Sequence, residues 1–274
     1  MIAHQYRPPP PLGEFVEVIW YYRGYRQEHA FERILPSGRM ALVVNLAEDE
    51  TRVWPRGHQG EPLLTRGSSV DSELRQHFVI DTAEQEFVAG AHFHPGGAFP
   101  FFGVAADELA GHHLSLEELW GESRANELRS RLLAARSPQA AIEILEQALC
   151  TAVKRPLARH PAVAFALAGL SRAPATATVA RLVRGVGLSP RRFLELFRQE
   201  VGLGPKAYCR VRRFQAALAL AWGRPVIDWA RLALDCGYYD QAHLIRDFRA
   251  FSGLAPRAYL ASRGQHLNHL PILD

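Results

Sequence analysis

The chain has 274 residues, 48% of them hydrophobic, and 32 Lys+Arg against 28 Asp+Glu for a formal net charge of +4. That length predicts two domains, each able to bury its own core, and the apolar content excludes a disordered chain. The longest apolar run, residues 162–170, is far short of the ~20 residues that a membrane span needs, and the N-terminal MIAHQYRPPPP lacks the basic-then-apolar pattern of a secretory signal. A soluble, cytoplasmic protein with no membrane partner is therefore expected.

The charge is unevenly spread. Residues 161–263 carry 16 Lys+Arg against six Asp+Glu, whereas residues 1–160 carry 16 against 21. A compact basic segment joined to a mildly acidic one suggests a polyanion-binding module attached to something else. Cys150, Cys209 and Cys236 form no CxxC pair and each falls in an apolar helical pattern, so all three are expected as buried, reduced thiols.

In chain order, residues 1–100 read mainly as strands. The runs 15–22 (FVEVIWYY), 39–46 (RMALVVNL), 77–80 and 86–93 are rich in β-branched and aromatic residues. Turn sequences at Pro36-Ser37-Gly38, Pro55-Arg56-Gly57 and Pro95-Gly96-Gly97 separate them. Short strands at this spacing predict a small barrel or sandwich, with no strand order legible. From about Leu114 the period becomes helical. Ser115 followed by Glu117 and Glu118 reads as a helix start. Leu128, Leu132 and Leu133 share one helical face, and Ile142, Leu145 and Leu149 another. These predict two antiparallel helices joined at residues 136–138, packed on the β unit or on a second subunit. Residues 154–160, bounded by Pro156 and Pro161, read as a linker.

From Pro161 onward the pattern is helical throughout: residues 162–170, then a helix around 178–185, a turn at Gly187-Leu188, and a helix starting at Ser189-Pro190. A long helix runs from Pro205 to about Trp222. Then come a helix over 227–236, a turn at Gly237, a helix capped by Asp240, and a last helix from Pro256. Within this region FRQEVGLGPKAY (197–208) and FRAFSGLAPRAY (248–259) superpose at an offset of 51. Phe197, Arg198, Gly202, Leu203, Pro205, Ala207 and Tyr208 fall on identical residues. One unit used twice is a duplicated module and not a solenoid. Helix, glycine turn and capped helix form the helix-turn-helix pattern, in which a small residue four before the turn glycine lets the helices cross closely. Ala233 satisfies this before Gly237. Val183 before Gly187 does not, so a wider crossing is expected there.

The segment D-x-A-H-L-I-R-D-F-R-x-F-x-G-L-x-P-R-A-Y (240–259) resembles the signature of AraC/XylS-family transcription regulators. The resemblance covers the last ~100 residues. It implies an all-α domain of two helix-turn-helix units joined by one long helix. Recognition helices near 189–199 and 240–250 would enter successive major grooves of double-stranded DNA. The outward N-terminal faces of those helices are the candidates for base contact: Pro190, Arg191, Leu194 and Glu195 in the first, Gln241, Ala242, His243 and Arg246 in the second. Arginine suits guanine, glutamine adenine, and glutamate the cytosine amino group. Glu195 stands where relatives commonly carry Arg, which implies a different base preference at that step. His243 has the alternative of completing the cap of its own helix. Arg192, Arg198, Lys206, Arg249 and Arg257 are candidates for phosphate contact, which positions without reading sequence.

In the first half, His92 and His94 alternate on a strand as metal ligands in a barrel would, with His112 and His113 nearby. No third ligand stands at an obvious spacing. Tyr6-x-Pro8, Phe15-Val16, Trp20, Arg33-x-Leu35-Pro36-Ser37-Gly38, Phe93-x-Pro95-Gly96-Gly97 and Leu116-x-x-Leu119-Trp120-Gly121 are together similar to an N-terminal domain of unassigned function found on some AraC-type regulators. That resemblance covers about residues 1–150 and implies a cupin-like β unit that senses a small molecule. Trp20, Tyr22, Trp54, Phe93 and Phe99 are the candidate lining of an effector pocket, and the same residues also read as plain core. No GxxxxGK[ST], HExxH, GxSxG or strand-borne GxGxxG occurs.

The combined reading is an α+β multidomain chain. Residues 1–153 form a sensor or oligomerisation domain, a cupin-like barrel or sandwich with two or more helices. Residues 154–160 form a linker, 161–263 the DNA-binding domain, and 264–274 a tail. The function expected is a sequence-specific DNA-binding transcription regulator of AraC type that answers to a small-molecule effector. It is not expected to be an enzyme, and it calls for no cofactor or metal. Its expected partners are DNA, the effector, a second copy in a homodimer, and RNA polymerase if it activates. A purely dimerising first half and a metal-dependent cupin-type enzyme fused to a nucleic-acid-binding module are the alternatives.

Overall fold

The short β-rich runs of the first half fold into two antiparallel sheets in the computed structural model, which describes residues 1–55, 57–172, 179–264 and 266–273. The strands are β1 (Ile2–Tyr6), β2 (Val16–Arg23), β3 (Phe31–Ile34), β4 (Ala41–Asn45), β5 (Glu50–Trp54), β6 (Leu63–Arg66), β7 (Ser68–Asp71), β8 (Phe78–Asp81), β9 (Phe87–Phe93) and β10 (His113–Ser115), joined by β11 (His269–Ile272) from the far end of the chain. One sheet has the order β1-β2-β9-β4-β7-β10 and the other β11-β3-β8-β5-β6. The sheets do not close into a ring, so the architecture is a sandwich and not a barrel. Of the expected turn at residues 55–57, Arg56 lies outside the described residues.

Side-chain alternation divides the first sheet into two faces. Ile19, Tyr21, Ala89, Ala91 and Phe93 enter one continuous apolar core, while Trp20, Tyr22 and His92 lie on the opposite face. The core face is covered by helices. After the short helices α1 (Phe99–Phe102) and α2 (Ala106–Leu109), α3 (Leu116–Trp120) starts where Ser115 Oγ accepts from the Glu117 N–H and Glu118 accepts from the Ser115 N–H, a reciprocal cap. Helices α4 (Glu122–Leu133) and α5 (Pro138–Thr151) then pack together, and α5 lies along β1, β2 and β9. The expected helical pair thus covers its own sheet. Cys236 is buried and Cys209 half-buried, but Cys150 is exposed, contrary to expectation: it follows the buried Leu149 by one residue and so falls on the outer side of α5.

The second half is helical: α6 (Pro161–Arg172), α7 (Val179–Val186), α8 (Pro190–Val201), α9 (Pro205–Ala221), α10 (Trp229–Asp235), α11 (Gln241–Ser252) and α12 (Pro256–Ser262). The start expected for α7, near Thr178, lies outside the described residues. The sequence repeat is a repeat of packing. Phe197 meets Tyr208 edge-on at 5.9 Å, and Phe248 meets Tyr259 edge-on at 5.3 Å; all four side chains are fully buried.

The two halves share one core, and motifs from both build the contact. Arg159, between α5 and α6, donates to the carbonyls of Pro95 (2.6 Å) and Glu14 (3.0 Å) and lies over the Phe15 ring. Gln215 of α9 donates to the Pro36 carbonyl at 2.8 Å. Both repeated Gly-Leu turns face the sandwich. Gly202 ends α8 at φ +83, and a Cβ there would sit 2.9 Å from both the Ala106 carbonyl and Leu74 Cδ1. Gly253 ends α11 at φ +72 against the His77 ring. Within the segment 264–274, expected as a tail, His269–Ile272 form β11, which pairs antiparallel with β3.

The Gly202 contact predicts a difference between two glycines of similar backbone. At Gly223, φ is +73 and nothing lies within 4 Å of an added Cβ, so Gly223→Ala should cost only the left-handed conformational penalty, about 1–2 kcal/mol. Gly202→Ala should cost a further ~1–3 kcal/mol for overpacking against Leu74 and Ala106. Urea unfolding of both variants measures the difference.

Candidate nucleic-acid interface

Each candidate recognition helix starts at a polar cap that frees its first turn to face outward. Ser189 Oγ accepts from the Arg192 N–H at 3.3 Å and Asp240 Oδ1 from the His243 N–H at 2.6 Å. Behind the caps the two helices are anchored alike, by Phe193, Leu196 and Phe197 in α8 and by Leu244 and Phe248 in α11, all buried. The close crossing at Ala233 is fully buried; Val183, at the matching place in the first unit, is half-buried.

The exposed faces differ. On α8, Pro190, Arg191 and Glu195 are exposed and Leu194 half-buried. Arg191 is 91% exposed at the side chain and donates to Glu195 at 3.0 Å, while Arg192 stands 3.6 Å from the same carboxylate. The hydrogen bond from Arg191 holds the Glu195 carboxyl below its ordinary range. On α11, Gln241, Ala242 and Arg246 are exposed. His243 is half-buried with its ring edge-on to Tyr238 at 5.1 Å, while its N–H joins the cap. Arg192, Arg198, Lys206, Arg249 and Arg257 are all exposed.

Two features escaped sequence reasoning. Asp247, buried on α11, accepts from Arg210 Nε (3.2 Å) and Nη2 (2.6 Å), fixing α11 to the long helix α9. An acid inside an otherwise apolar helical face was the available signal. Tyr239, immediately before the α11 cap, is 87% exposed, a large aromatic held out beside the N-terminal end of α11.

The five aromatics expected to line an effector pocket are not brought together. Phe93 lies in the core against Phe101 (5.4 Å) and Phe102 (5.6 Å). Trp20 and Tyr22 stand 5.4 Å apart on the opposite face of the sheet. Trp54 belongs to the other sheet and packs on Phe31, and Phe99 sits beneath the Arg155 guanidinium. Composition reveals aromatic side chains but not the face each one takes, which strand register decides. None of the five lines either described cavity. One, about 120 Å³, lies among α3, α4 and α5 beside Trp120 and Leu128. The other, about 490 Å³, lies between the halves beside Arg75, Leu203 and Lys206. As for metal ligation, His92 is exposed beside Trp20 and His94 lies past the end of β9. Among the described residues no group of three or more His, Cys, Asp or Glu could hold an ion. No helix among them is long and apolar enough to cross a membrane.

Where β11 meets β3, Glu32, 2% exposed, accepts from His269 Nδ1 (2.8 Å), His29 Nε2 (2.9 Å) and Gln85 Nε2 (3.1 Å). Burial alone would raise its pKa. The bonds and charge supplied by His269, with the bonds from His29 and Gln85, outweigh burial and hold it at about 2.

Residues 4–115 match a domain of unknown function, DUF6597, and residues 182–262 match a family described as a helix-turn-helix domain. No curated protein matches the chain. Among solved structures, the apo form of a ToxT variant from Vibrio cholerae strain SCE256 aligns over 95% of this chain and 96% of its own, at 10% identity and a TM-score of 0.44. ToxT from Vibrio cholerae O395 bound to (E)-4-(8-methylnaphthalen-1-yl)but-3-enoic acid aligns over 88% and 97%, at 10% identity and 0.44. Wild-type ToxT of strain SCE256 with bound unsaturated fatty acid aligns over 88% and 93%, at 10% identity and 0.40.

Two stability measurements follow from these contacts. Removing the Arg210 guanidinium leaves a buried carboxylate with no partner, so Arg210→Ala should destabilise the protein by about 1.5–3 kcal/mol in urea unfolding. The depressed Glu32 pKa contributes stability that is fully present above the ordinary value of 4.5 and lost as pH falls from there toward 2. A Glu32→Gln variant should lose that part of the pH dependence, as read from unfolding midpoints across pH 2–6.

Proposed function

This chain carries an AraC-type helix-turn-helix domain behind an N-terminal domain of unknown function, and from that premise we propose that it is a sequence-specific transcription regulator whose first half answers to a small-molecule effector. The observation that carries the reading is the pair of recognition helices. Their caps and buried anchors are alike, but the residues on their free N-terminal faces differ. A duplicated scaffold with divergent faces suits a protein that reads two different half-sites in successive major grooves.

In this reading Arg191 and Glu195, with Pro190 and Leu194, read the first half-site. Gln241, Ala242 and Arg246 read the second, with His243 at its margin. The Arg191–Glu195 pair is too exposed to withhold the guanidinium from a guanine, and when Arg191 turns to a base the carboxylate is released to accept from a cytosine amino group. Arg192, Arg198, Lys206, Arg249 and Arg257 hold phosphates. Residues 1–153 act as the sensor, 154–160 as the linker and 161–263 as the DNA-binding domain, and the protein works in the cytoplasm on double-stranded DNA. An effector would act by binding two relative arrangements of these parts with different affinity. A second copy of the chain, and RNA polymerase at activated promoters, complete the proposed partners.

Selection of bound duplexes from a random pool should return one preferred sequence, and affinity for it should fall steeply with salt as counterions are released. Arg191→Ala and Arg246→Ala should each cost roughly 1–3 kcal/mol at that sequence and relax the base preference at one step. Unchanged affinity of both variants for selected and random duplexes would overturn the recognition assignment.

A further inference from the structure

The two helix-turn-helix units differ by one residue in the turn that feeds the second helix of each. In the first unit the cap Ser189 stands two residues after the turn glycine Gly187; in the second the cap Asp240 stands three after Gly237. The added residue is Tyr239, whose 87% exposure is the highest among the described large hydrophobic side chains. Its neighbours are fixed on both sides. Tyr238 is buried, donates its N–H to the Ala233 carbonyl at 2.9 Å, lies edge-on to His243 at 5.1 Å and carries the Arg213 guanidinium over its ring at 5.3 Å. Asp240 is held by its cap bond from the His243 N–H. Between two pinned residues the backbone of Tyr239 is already ordered, so a contact made by its side chain costs little further entropy. Among the described residues no hydrogen bond, ion pair or ring contact engages that side chain.

We propose that Tyr239 is a DNA contact of the second unit alone, its hydroxyl donating to a phosphate oxygen at the edge of the second half-site. The proposal rests on the reading of the chain as a DNA-binding regulator, and adds to it a contact with no counterpart in the first unit. A tyrosine hydroxyl is a donor to phosphate, and the charges around this one favour that acceptor. Both nearby acids are engaged, Asp240 in the cap and Asp235 with Arg231 at 3.1 Å, while Arg246 and Arg249 stand exposed on the helix that follows. Place argues against a base contact. Bases are read by the first turns of the helix itself, and Tyr239 precedes the cap, which puts it at the rim of the groove when α11 lies inside. Another protein is the competing occupant for an exposed aromatic, but such an interface needs a desolvated apolar centre. Among the described residues from Asp228 to Ser252 the only other exposed large apolar side chain is Leu234.

The test compares the full-length parent, Tyr239→Phe and Tyr239→Ala on the selected duplex and on random duplex. Both variants should bind both duplexes roughly tenfold more weakly, the loss of one hydrogen bond to a charged acceptor, with base preference unchanged. The hydroxyl is neutral, so the slope of log affinity against log salt should stay that of the parent, whereas in Arg249→Ala it should fall by about one. Neutral methylphosphonate placed at one phosphate at a time should find a single position where the parent loses affinity and Tyr239→Phe loses no more. That position should lie in the half-site whose base preference Arg246→Ala relaxes. Tyr239 is exposed and unpartnered, so the Tm of both variants should match the parent. Unchanged affinity in Tyr239→Phe overturns the proposal. If Tyr239→Ala then alters base preference, the ring meets a base; if it too is unchanged, the aromatic is left for a protein partner. Selection of one sequence by the parent, and its weakened binding in Arg191→Ala, report on the regulator reading separately and are expected whether or not Tyr239 touches DNA.

Discussion

The seating of the Gly202-Leu203 turn beneath the sandwich is the contact on which the arrangement of this molecule depends. One glycine ends α8 in a left-handed conformation, turns the chain into α9, and brings its backbone against Leu74, Met40 and the Ala106 carbonyl. Two residues before it the buried carboxylate of Glu200 accepts from the His160 N–H at 3.0 Å. Burial raises the pKa of that carboxyl, against the opposing effects of the His160 bond and the Arg159 charge. Arg159 in turn reaches two carbonyls of the sandwich. The C-terminal end of α8 is therefore gripped by the other half of the protein, while its N-terminal face stays free. A displacement of the sandwich must be transmitted to α8 or must break these bonds.

The second unit is held differently, which makes the duplication mechanically asymmetric. Gly253 meets the His77 ring, and α11 is tied to α9 through Arg210 and Asp247. Further on, the chain leaves the helical half and adds β11 to the second sheet, where Glu32 draws two histidines and a glutamine around one carboxylate. The loop between β7 and β8 touches both exits, Leu74 at the first and His77 at the second. All of these ties lie away from the N-terminal faces of α8 and α11. The docked arrangement thus leaves both of these faces open while fixing what lies behind them.

Much of the helical half was legible because its signals are local. A cap, a proline at the first helical position and a glycine after the last turn each act within a few residues, and Ser189, Asp240, Pro205, Pro256, Gly202 and Gly253 all stand where those roles require. The repeat of Phe197 and Tyr208 at Phe248 and Tyr259 announced a packing pair because the same spacing recurs. Four strands of the sandwich were legible for the same reason, in their runs of branched and aromatic side chains. Strands such as β3 and β5 were not, since FERI and ETRVW carry charges whose partners, His269 for Glu32 and Asp81 and Glu84 for Arg52, come from elsewhere in the fold.

The sequence by itself determined the element types of the helical half, its two-fold repetition, its basic charge, and most of the side chains that stand free on α8 and α11, though not Leu194 and His243, which are half-buried. All of these follow from spacing along one chain segment. Tertiary structure alone decided that the sheets remain an open sandwich and that the supposed tail is a strand. It decided also that five aromatics share no pocket, and that Arg75, Arg198 and Lys206 surround one cavity. These outcomes depend on which strand lies beside which and which face turns inward. A one-residue shift of register reverses every such face, and no local spacing encodes a contact between residues more than a hundred positions apart, such as Gln215 and Pro36.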